Sequence, residues 1–462
     1  MVGMHNDKKM KKTNYTLLSL AFVGTIFMAG NVHAQLAKCK GKYLGNIIQS
    51  STTSGSGINY NTYWNQATSE NGSKWGSVEG TQGKFNWTTS DIAYNWAKSN
   101  NGLFKYHNFV WGSQTPSWVS GASTSTITTE VKNYIAACST HYTPMGGLKM
   151  IDVVNEPVNT ALPGNYKAAL TAGYQAEPAN ANDKNNQYGW IIWPFQLARK
   201  AFPDAALLIN EYNIEMNYNN VRTSYIAMVN AVKNAPNLTD GKKNLIDGVG
   251  LQCHGIDNLT AANFKACIDE IWTKTGVPVH ITEFDQAANP NEAKQQTVYS
   301  TLIPVAWEHP HVAGITIWGY VQGSTWINGN GTKGASGTDS GIMYTSGSER
   351  PALTWLKSYM SGKPSLTCCP PPAPLGSCSV VTDLEDAPAL PFGSVYPNPF
   401  QDGLYVAQAG NFRYELLNTA GQLMETGEGH EKALIAQGLP KGIYLVKITQ
   451  DNTTKVVKVV KE

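Results

Sequence analysis

Two glutamates follow short apolar runs in the same manner, and this repeated placement is the clearest sign of chemistry in the sequence. Met150–Val153 predicts a buried strand that leads to Glu156. Pro157 then ends the strand, because proline cannot donate a hydrogen bond to a strand ladder. Glu283 lies in a second such run, Val279–Asp285. One glutamate at such a place is equally well explained as a solvated residue that caps the next helix. A pair of carboxylates at two strand ends instead suggests the hydrolysis of glycosidic bonds.

The elements that would position these glutamates form a recurring pattern between residues 40 and 360. Short apolar runs occur at Tyr43–Ile48, Tyr63–Thr68, Leu103–Trp111, Met150–Asn155, Leu207–Glu211, Gly248–His254, Val279–Asp285 and Gly314–Tyr320. Helical spacing lies between most of them, as at Thr129–Cys138, Gln196–Phe202 and Ala261–Thr275. Strand alternating with helix predicts an α/β fold, the (β/α)8 TIM barrel.

In a barrel of this kind the reactive residues lie where the strands end. Polar or aromatic residues occupy six of the predicted strand ends: His107 and Trp111, Asn155 and Glu156, Glu211 and Tyr212, Gln252 and His254, Glu283 and Asp285, and Trp318. One polar residue at a strand end means little, but six such ends in one chain predict an active site.

The beginning of the chain predicts export. An apolar run from about Leu17 to Ala29 follows the lysine-rich residues 8–12, and Val32-His33-Ala34 supplies small residues at the cleavage positions. Residues 1–34 are therefore interpreted as a secretory signal peptide. No later stretch is long and apolar enough to predict a stable membrane span.

Composition narrows the classes of partner. The chain has 462 residues, with 35 basic and 33 acidic side chains and a net charge of +2, so nothing predicts a nucleic-acid surface. Its 13 Trp and 22 Tyr favour carbohydrate only mildly, since these residues also fill large cores. Disulfides are permitted by export, and Cys253 and Cys267 are a candidate pair. None of the seven Cys has zinc-ligand spacing, so neither metal nor cofactor is expected.

The composition changes after the predicted barrel, which is assigned to residues 35–360. Residues 361–391 are interpreted as a linker, because Cys368–Pro374 is rich in Pro and Cys. Residues 392–462 then predict a small β-sandwich, with strands at Gly403–Val406, Phe412–Asn418, Gly442–Ile448 and Lys455–Lys461.

Residues 43–360 resemble glycoside hydrolase family 10, the xylanases, through motifs that follow one another in order. These are Ser69–Trp75, His107–Trp111, Gln114–Trp118, Asp152–Glu156, Asn210–Asn213, Gly250–His254, Ile281–Asp285, Trp318-Gly319 and Trp326. Family 5 hydrolases also place Asn-Glu-Pro on a barrel strand, but they share neither Lys74 nor the Gln252-x-His254 motif.

The sequence departs from the family pattern in two places. Gly112 stands where many members carry a second His directly after Trp111, which loosens inference about the glycone pocket wall. The loop Val158–Asn186 is long and rich in Asn, Ala and Gly, so no leaving-group contacts are assigned there.

The resemblance implies a retaining endo-1,4-β-xylanase with xylan or xylo-oligosaccharides as substrate, Glu156 as acid/base and Glu283 as nucleophile. It implies that His254 and Asp285 hold Glu283 and that Asn155 bonds the 2-hydroxyl of the reacting sugar. The implied substrate-binding set is Glu70, Asn71, Lys74, His107, Trp111, Tyr212, Gln252, Trp318 and Trp326. For His254 and the Trp residues, core packing remains the alternative, and for Lys74 a surface charge.

The C-terminal residues resemble a sorting domain for type IX secretion. The resemblance lies in Tyr396–Phe400, Leu417–Gln422 and Leu439–Lys447, and it implies the secretion machinery as partner and a secreted or surface-attached bacterial protein. A carbohydrate-binding module is the alternative, which the absence of Trp from residues 379–462 disfavours.

Two other functions remain open for the barrel. A β-1,4-glucanase would use the same fold and the same carboxylates. A non-catalytic xylan-binding protein would be expected to lack one carboxylate, whereas Glu156 and Glu283 are both present.

Overall fold

A computed structural model describes residues 35–49, 59–288, 291–327, 339–366, 371–375, 394–396, 398–450 and 453–462. Contacts divide the chain after Cys378 into two compact units. The predicted signal peptide, residues 1–34, lies outside the described residues, as do Cys368, Cys369 and Cys378.

In the described part of the first unit, eight parallel strands close into a barrel in sequence order, which confirms the predicted fold. The strands are β1 (Tyr43–Ile48), β2 (Gln66–Ser69), β3 (Leu103–Val110), β4 (Met150–Asn155), β5 (Ala206–Glu211), β6 (Gly248–Leu251), β7 (Val279–Phe284) and β8 (Val312–Ile317). Every residue of these strands is buried, as expected for parallel strands covered on both faces.

Helices surround the barrel. They are α1 (Trp75–Val78), α2 (Thr88–Ser99), α3 (Thr124–Tyr142), α4 (Gly164–Ala176), α5 (Gly189–Ala201), α6 (Val221–Asn234), α7 (Ala261–Thr275), α8 (Glu292–Glu308) and α9 (Pro351–Ser361). The predicted bounds of α7 are correct. Helix α3 begins five residues before its prediction because the Ser123 side chain caps it, accepting from the Thr126 amide at 3.1 Å.

Much of the aromatic content serves the core of this unit. Trp64 and Trp193 are fully buried. Trp75 stacks on Tyr134 with ring centroids 5.7 Å apart, and Trp118 meets Trp75 edge-on at 5.5 Å. A high Trp and Tyr content is therefore a weak guide to carbohydrate binding in this chain.

The described part of the second unit is all β, as predicted. Its described strands are β9 (Ser394–Tyr396), β10 (Leu404–Asn418), β11 (Leu423–Ile435), β12 (Gly442–Gln450) and β13 (Thr453–Lys461). They pair antiparallel in the order β11-β10-β12-β13, with β9 on β10. The two strands predicted within residues 403–418 are one, because β10 continues through a register shift between Gln408 and Asn411. Residues from both of its halves, including Leu404 and Leu416, enter one core, consistent with a sandwich.

The candidate pair Cys253 and Cys267 is not disulfide-bonded, since both are buried free thiols. Cys267 lies on α7, where its Sγ is 3.8 Å from the backbone oxygen of Ile214. Cys39 is disulfide-bonded. Within the described ranges, no helix has both the length and the apolar character needed to cross a membrane.

Candidate active site

The carboxyl ends of neighbouring strands bring the predicted residues together. Asn155 ends β4 and Glu156 follows it, while Glu283 lies near the end of β7. Between them, β6 is followed by Gln252 and His254. In the barrel order β4-β5-β6-β7 these ends lie on the same rim, so two glutamates that are 127 positions apart in sequence share one site.

Four hydrogen-bond donors hold the carboxylate of Glu156. Its Oε2 accepts from Trp111 Nε1 at 2.7 Å and from Thr160 Oγ1 at 2.5 Å. Its Oε1 accepts from Gln252 Nε2 at 3.1 Å and from Asn155 Nδ2 at 3.2 Å. The carboxylate is therefore fixed from different elements, with the shorter bonds on Oε2.

The backbone at Glu156 is also constrained. Its φ is +54°, in the left-handed region, and its amide donates to the Asn210 carbonyl at 2.7 Å. The buried carboxylate of Glu211 accepts from the next amides, Val158 at 2.7 Å and Asn159 at 3.3 Å. Burial raises the pKa of Glu211 to about 7, although these donors oppose the rise. Glu211 thus holds the turn that follows Glu156.

Glu283 is buried and has two side-chain partners. Its Oε1 accepts from Asn210 Nδ2 at 2.7 Å, and its Oε2 lies 3.2 Å from His254 Nε2. Burial by itself would raise the pKa of Glu283. The hydrogen bond from His254 and the positive charges of His107, His254 and Lys105 outweigh burial and place this pKa below its usual value. An ionised Glu283 is the result.

His254 lies between two carboxylates. Its Nδ1 is 2.9 Å from Asp285 Oδ2, while its Nε2 faces Glu283. Trp326 Nε1 donates to the same Asp285 oxygen. Burial lowers the pKa of His254, but the two carboxylates together raise it to about 10. The side chain is accordingly an imidazolium, which fits the predicted support of Glu283 better than a neutral core histidine.

Asn210 joins the two glutamates, and the sequence prediction did not select it. Its Nδ2 donates both to Glu283 Oε1 and, at 2.8 Å, to Asn155 Oδ1, while its Oδ1 accepts from Thr282 Oγ1 at 2.6 Å. Asn155 in turn donates to Glu156. The sequence carried a signal, because Asn210 opens the Asn210–Asn213 motif and pairs in register with Asn155.

A second group of predicted residues borders Trp111. Lys74 Nζ donates to Asn71 Oδ1 at 3.0 Å and lies 4.7 Å from the centre of the Trp111 ring. Lys74 is 6% exposed, which argues against a solvated surface charge. Burial lowers the pKa of Lys74, although the charges of Glu283, Glu70 and Glu156 oppose this shift. Lys74 thus links this group electrostatically to both glutamates.

The remaining predicted residues contact the site less directly. His107 Nδ1 is 2.8 Å from Asp152 Oδ2, and the same carboxylate pairs with Lys105 Nζ at 2.9 Å inside the barrel. The His107 and Trp318 rings meet edge-on at 5.3 Å. Tyr212 is half-buried and its hydroxyl donates to the Asn159 carbonyl at 3.4 Å.

The hydrogen bonds and ion pairs among the described residues connect most of the predicted set. One network contains Glu156, Glu283, His254, Asp285, Asn155, Gln252, Trp111 and Trp326. Lys74 lies at the edge of that network, where it is hydrogen-bonded to Asn71 and interacts with the charge of Glu70. The His107 and Trp318 rings contact each other, and Tyr212 contacts the loop after β4. This arrangement offers an ionised carboxylate, Glu283, and a second carboxylate, Glu156, that is held by four donors.

Comparison with known families gives two matches along the chain. The model of glycosyl hydrolase family 10 matches residues 33–359. A secretion system C-terminal sorting domain matches residues 394–462.

Curated relatives match the barrel region. Endo-1,4-beta-xylanase B of Cellvibrio japonicus (strain Ueda107) is 40% identical over 316 residues, which cover 68% of this chain and 45% of that protein. The chain therefore spans less than half the length of this relative. Endo-1,4-beta-xylanase A of Phanerodontia chrysosporium is 32% identical over 305 residues, covering 63% of this chain and 69% of that one.

Solved structures show the same fold. Xylanase 10B from Thermotoga maritima superposes with a TM-score of 0.58 at 22% identity, covering 71% of this chain and 97% of that chain. The family 10 structure from Paenibacillus barcinonensis gives a TM-score of 0.59 at 21% identity, with the same coverage. At these identities the likeness concerns the barrel fold.

Proposed function

The chain belongs to glycosyl hydrolase family 10, and on that premise we propose that it is a secreted, retaining endo-1,4-β-xylanase. The observation that carries the proposal is the pair of carboxylates, Glu156 and Glu283, joined through the amides of Asn155 and Asn210 at the carboxyl ends of β4, β5 and β7. The relatives at 32% and 40% identity, both named endo-1,4-beta-xylanases, support xylan as the substrate class.

In the first half-reaction, Glu283 attacks the anomeric carbon and Glu156 gives its proton to the departing glycosidic oxygen. The lowered pKa of Glu283 supports the nucleophilic role, since the group must be ionised to attack. Cleavage leaves a shortened xylan chain and a sugar esterified to Glu283.

In the second half-reaction, water replaces Glu283 at the anomeric carbon. The ester has removed the negative charge of Glu283, which makes ionisation of the neighbouring Glu156 easier. Glu156 then takes a proton from the attacking water, and the sugar leaves with its original configuration. One residue thus serves as acid and base because its neighbour changes charge between the steps.

The other residues are proposed to hold the reactants. His254 and Asp285 keep Glu283 in place, and Asn155 bonds the 2-hydroxyl of the reacting sugar, a contact that strengthens in the transition state. The proposed substrate contacts are Glu70, Asn71, Lys74, His107, Trp111, Tyr212, Gln252, Trp318 and Trp326. Xylose lacks the hydroxymethyl arm of glucose, so a Trp wall at that carbon would exclude cellulose sterically.

The test of this function is hydrolysis of xylan and carboxymethyl cellulose by the purified protein. We expect reducing ends from xylan and none from carboxymethyl cellulose, and proton NMR of the first products is expected to show β-anomers. A glucanase would release ends from the cellulose, and a binding protein from neither polymer. Early α-anomers would contradict double displacement.

The proposal extends to export. Residues 1–34 are assigned to a signal peptide, residues 361–391 to a linker and residues 392–462 to a sorting domain read by type IX secretion machinery. The sorting-domain match at residues 394–462 supports the last assignment. The all-β fold of this unit, with its own core around Leu416 and Val446, supports its independence from the barrel.

Deletion of Ser379–Glu462 is expected to separate export from catalysis. Because the two units have separate cores, the purified barrel should keep its turnover on soluble xylan within about twofold. In the native host the truncated enzyme should remain inside the outer membrane, as cell fractionation would show. Normal export together with lost binding to insoluble xylan would instead identify the unit as a carbohydrate-binding module.

A further inference from the structure

Gly112 permits an unusually close approach of the loop that follows β4. A Cβ atom built at this glycine would lie 2.5 Å from the Ala161 carbonyl oxygen and 2.8 Å from that of Thr160. Both contacts are with backbone, which cannot swing aside as the end of a flexible side chain can. The backbone of residues 160–161 therefore occupies the space that any side chain at position 112 would need.

The close approach of this loop places Thr160 in hydrogen-bonding contact with Glu156. The Thr160 hydroxyl donates to Glu156 Oε2 at 2.5 Å, and its amide donates to the Glu156 carbonyl at 3.0 Å. The two contacts fix both the side chain and the backbone of the glutamate. Trp111, which directly precedes Gly112, is the other donor to Oε2. The short segment after β3 therefore supplies one of the two bonds to Oε2 and leaves room for the other.

The donors divide unequally between the two carboxyl oxygens. Oε2 has bonds of 2.5 and 2.7 Å, whereas Oε1 has bonds of 3.1 and 3.2 Å from the amides of Gln252 and Asn155. An oxygen that carries the proton loses much of its capacity to accept. Protonation on Oε1 gives up the two longer bonds, and protonation on Oε2 would give up the two shorter ones.

We infer that Thr160 is a positioning residue that keeps the proton of Glu156 on Oε1. Oε1 is the oxygen that faces Asn155, and Asn155 is bonded through Asn210 to Glu283. The proton consequently lies on the side of the carboxyl group where the sugar is held against the nucleophile. Gly112 is the permissive partner, because it lets the Thr160 backbone reach this position. The inference rests on the proposed role of Glu156 as acid and adds the atom that donates.

The chemical consequence depends on the leaving group. Without the hydroxyl, the proton distributes between both oxygens and is often absent from the one directed at the glycosidic oxygen. A sugar alcohol is a poor leaving group and needs that proton, whereas 2,4-dinitrophenolate departs without one. A defect in proton placement therefore affects natural substrates selectively, and a general loss of structure affects all substrates alike.

The test compares Thr160→Val, which keeps the shape, with Thr160→Ser, which keeps the hydroxyl. For Thr160→Val we expect kcat/KM to fall about tenfold on xylan and on phenyl β-xylobioside, but less than twofold on 2,4-dinitrophenyl β-xylobioside. Thr160→Ser should restore the values on poor leaving groups to within about threefold of the parent enzyme. Circular dichroism and thermal melting establish that each variant is folded.

Gly112→Ala provides an independent arm if Thr160→Val does not fold. It should reproduce the same selectivity by lifting the loop, and the double variant should lose no more than the larger single loss, because both act through one contact. Equal losses on all leaving groups, or no loss on any, would overturn the inference. If the parent protein itself failed to cleave xylan, the proposed function would fail instead, so the two failures are distinguishable.

Discussion

Replacing either Glu156 or Glu283 by alanine is expected to lower turnover on xylan by several orders of magnitude while leaving the protein folded. Each carboxylate makes or breaks a bond in the proposed reaction, and no other described side chain stands in its place. Some destabilisation is expected for Glu283→Ala, because Asn210 and His254 lose a buried partner. Asp204→Ala is a matched control, since Asp204 is exposed just before β5, at the opposite end of the barrel.

Azide distinguishes the roles of the two glutamates. A small anion can occupy the space left by a carboxylate and attack the sugar in its place. In Glu156→Ala, the sugar ester on Glu283 still forms with an activated substrate, and azide then gives the β-glycosyl azide. In Glu283→Ala, azide attacks the substrate directly and gives the α-glycosyl azide. Proton NMR identifies both products, and the opposite pairing would mean that the two roles are reversed.

His254→Asn is expected to reduce turnover about a hundredfold in a protein that is still folded at the assay temperature. An asparagine at this position is neutral, so Glu283 would lose the positive charge that favours its ionised form. Turnover measured well below the melting temperature shows the effect directly. If activity declined only in step with the unfolded fraction, His254 would be a packing residue.

The pH dependence of stability gives a second reading of His254. Its pKa is about 10 in the folded protein and 6.5 without the protein environment. The stabilisation is therefore complete below pH 6.5 and is lost as pH rises towards 10. The difference in Tm between the parent and His254→Asn should accordingly shrink over this interval.

His280 is the comparison, because it is a buried histidine with the opposite shift. Its Nδ1 is 2.8 Å from the Tyr43 hydroxyl, and burial with the nearby Lys105 lowers its pKa to about 3. Below pH 6.5 His280 is protonated in the unfolded chain but stays neutral in the folded chain. The folded state therefore becomes less stable relative to the unfolded state as pH falls. The Tm difference for His280→Asn should therefore shrink towards acid, and parallel pH trends for the two variants would contradict the assignment of charge.

The barrel was accessible from sequence because its strands are continuous apolar runs. The bounds of β1 and β4 agree with the prediction. Strand β11 was not predicted, because Leu423–Ile435 alternates mainly polar and small residues and contains Gly427 and Gly429. Its partner β10 supplies aromatic rings against those glycines, which is a property of the pair and not of either segment.

The site was only partly accessible, for a similar reason. Glutamates at strand ends can be recognised from residue type and spacing. Asn210 bonds Glu283 and Asn155 on other strands, and Thr160 bonds Glu156 from within an irregular loop, so neither position follows a spacing rule of a helix or strand. The sequence shows that position 112 is a glycine where many family members have a histidine. Only the structure shows that the backbone of residues 160–161 fills the space of that side chain.

The ion pair of Lys105 with Asp152 has a consequence for the alignment of the barrel. Both side chains are fully buried, and they lie on adjacent strands in the register that sets His107 opposite Asp152. Sliding β3 past β4 by one residue would reverse the faces of the strand and leave two opposite charges unpaired in an apolar interior. Misaligned barrels are thereby penalised far more than the correct one is stabilised. A buried charge pair that contributes little net stability can in this way select the correct strand register when the sheet assembles.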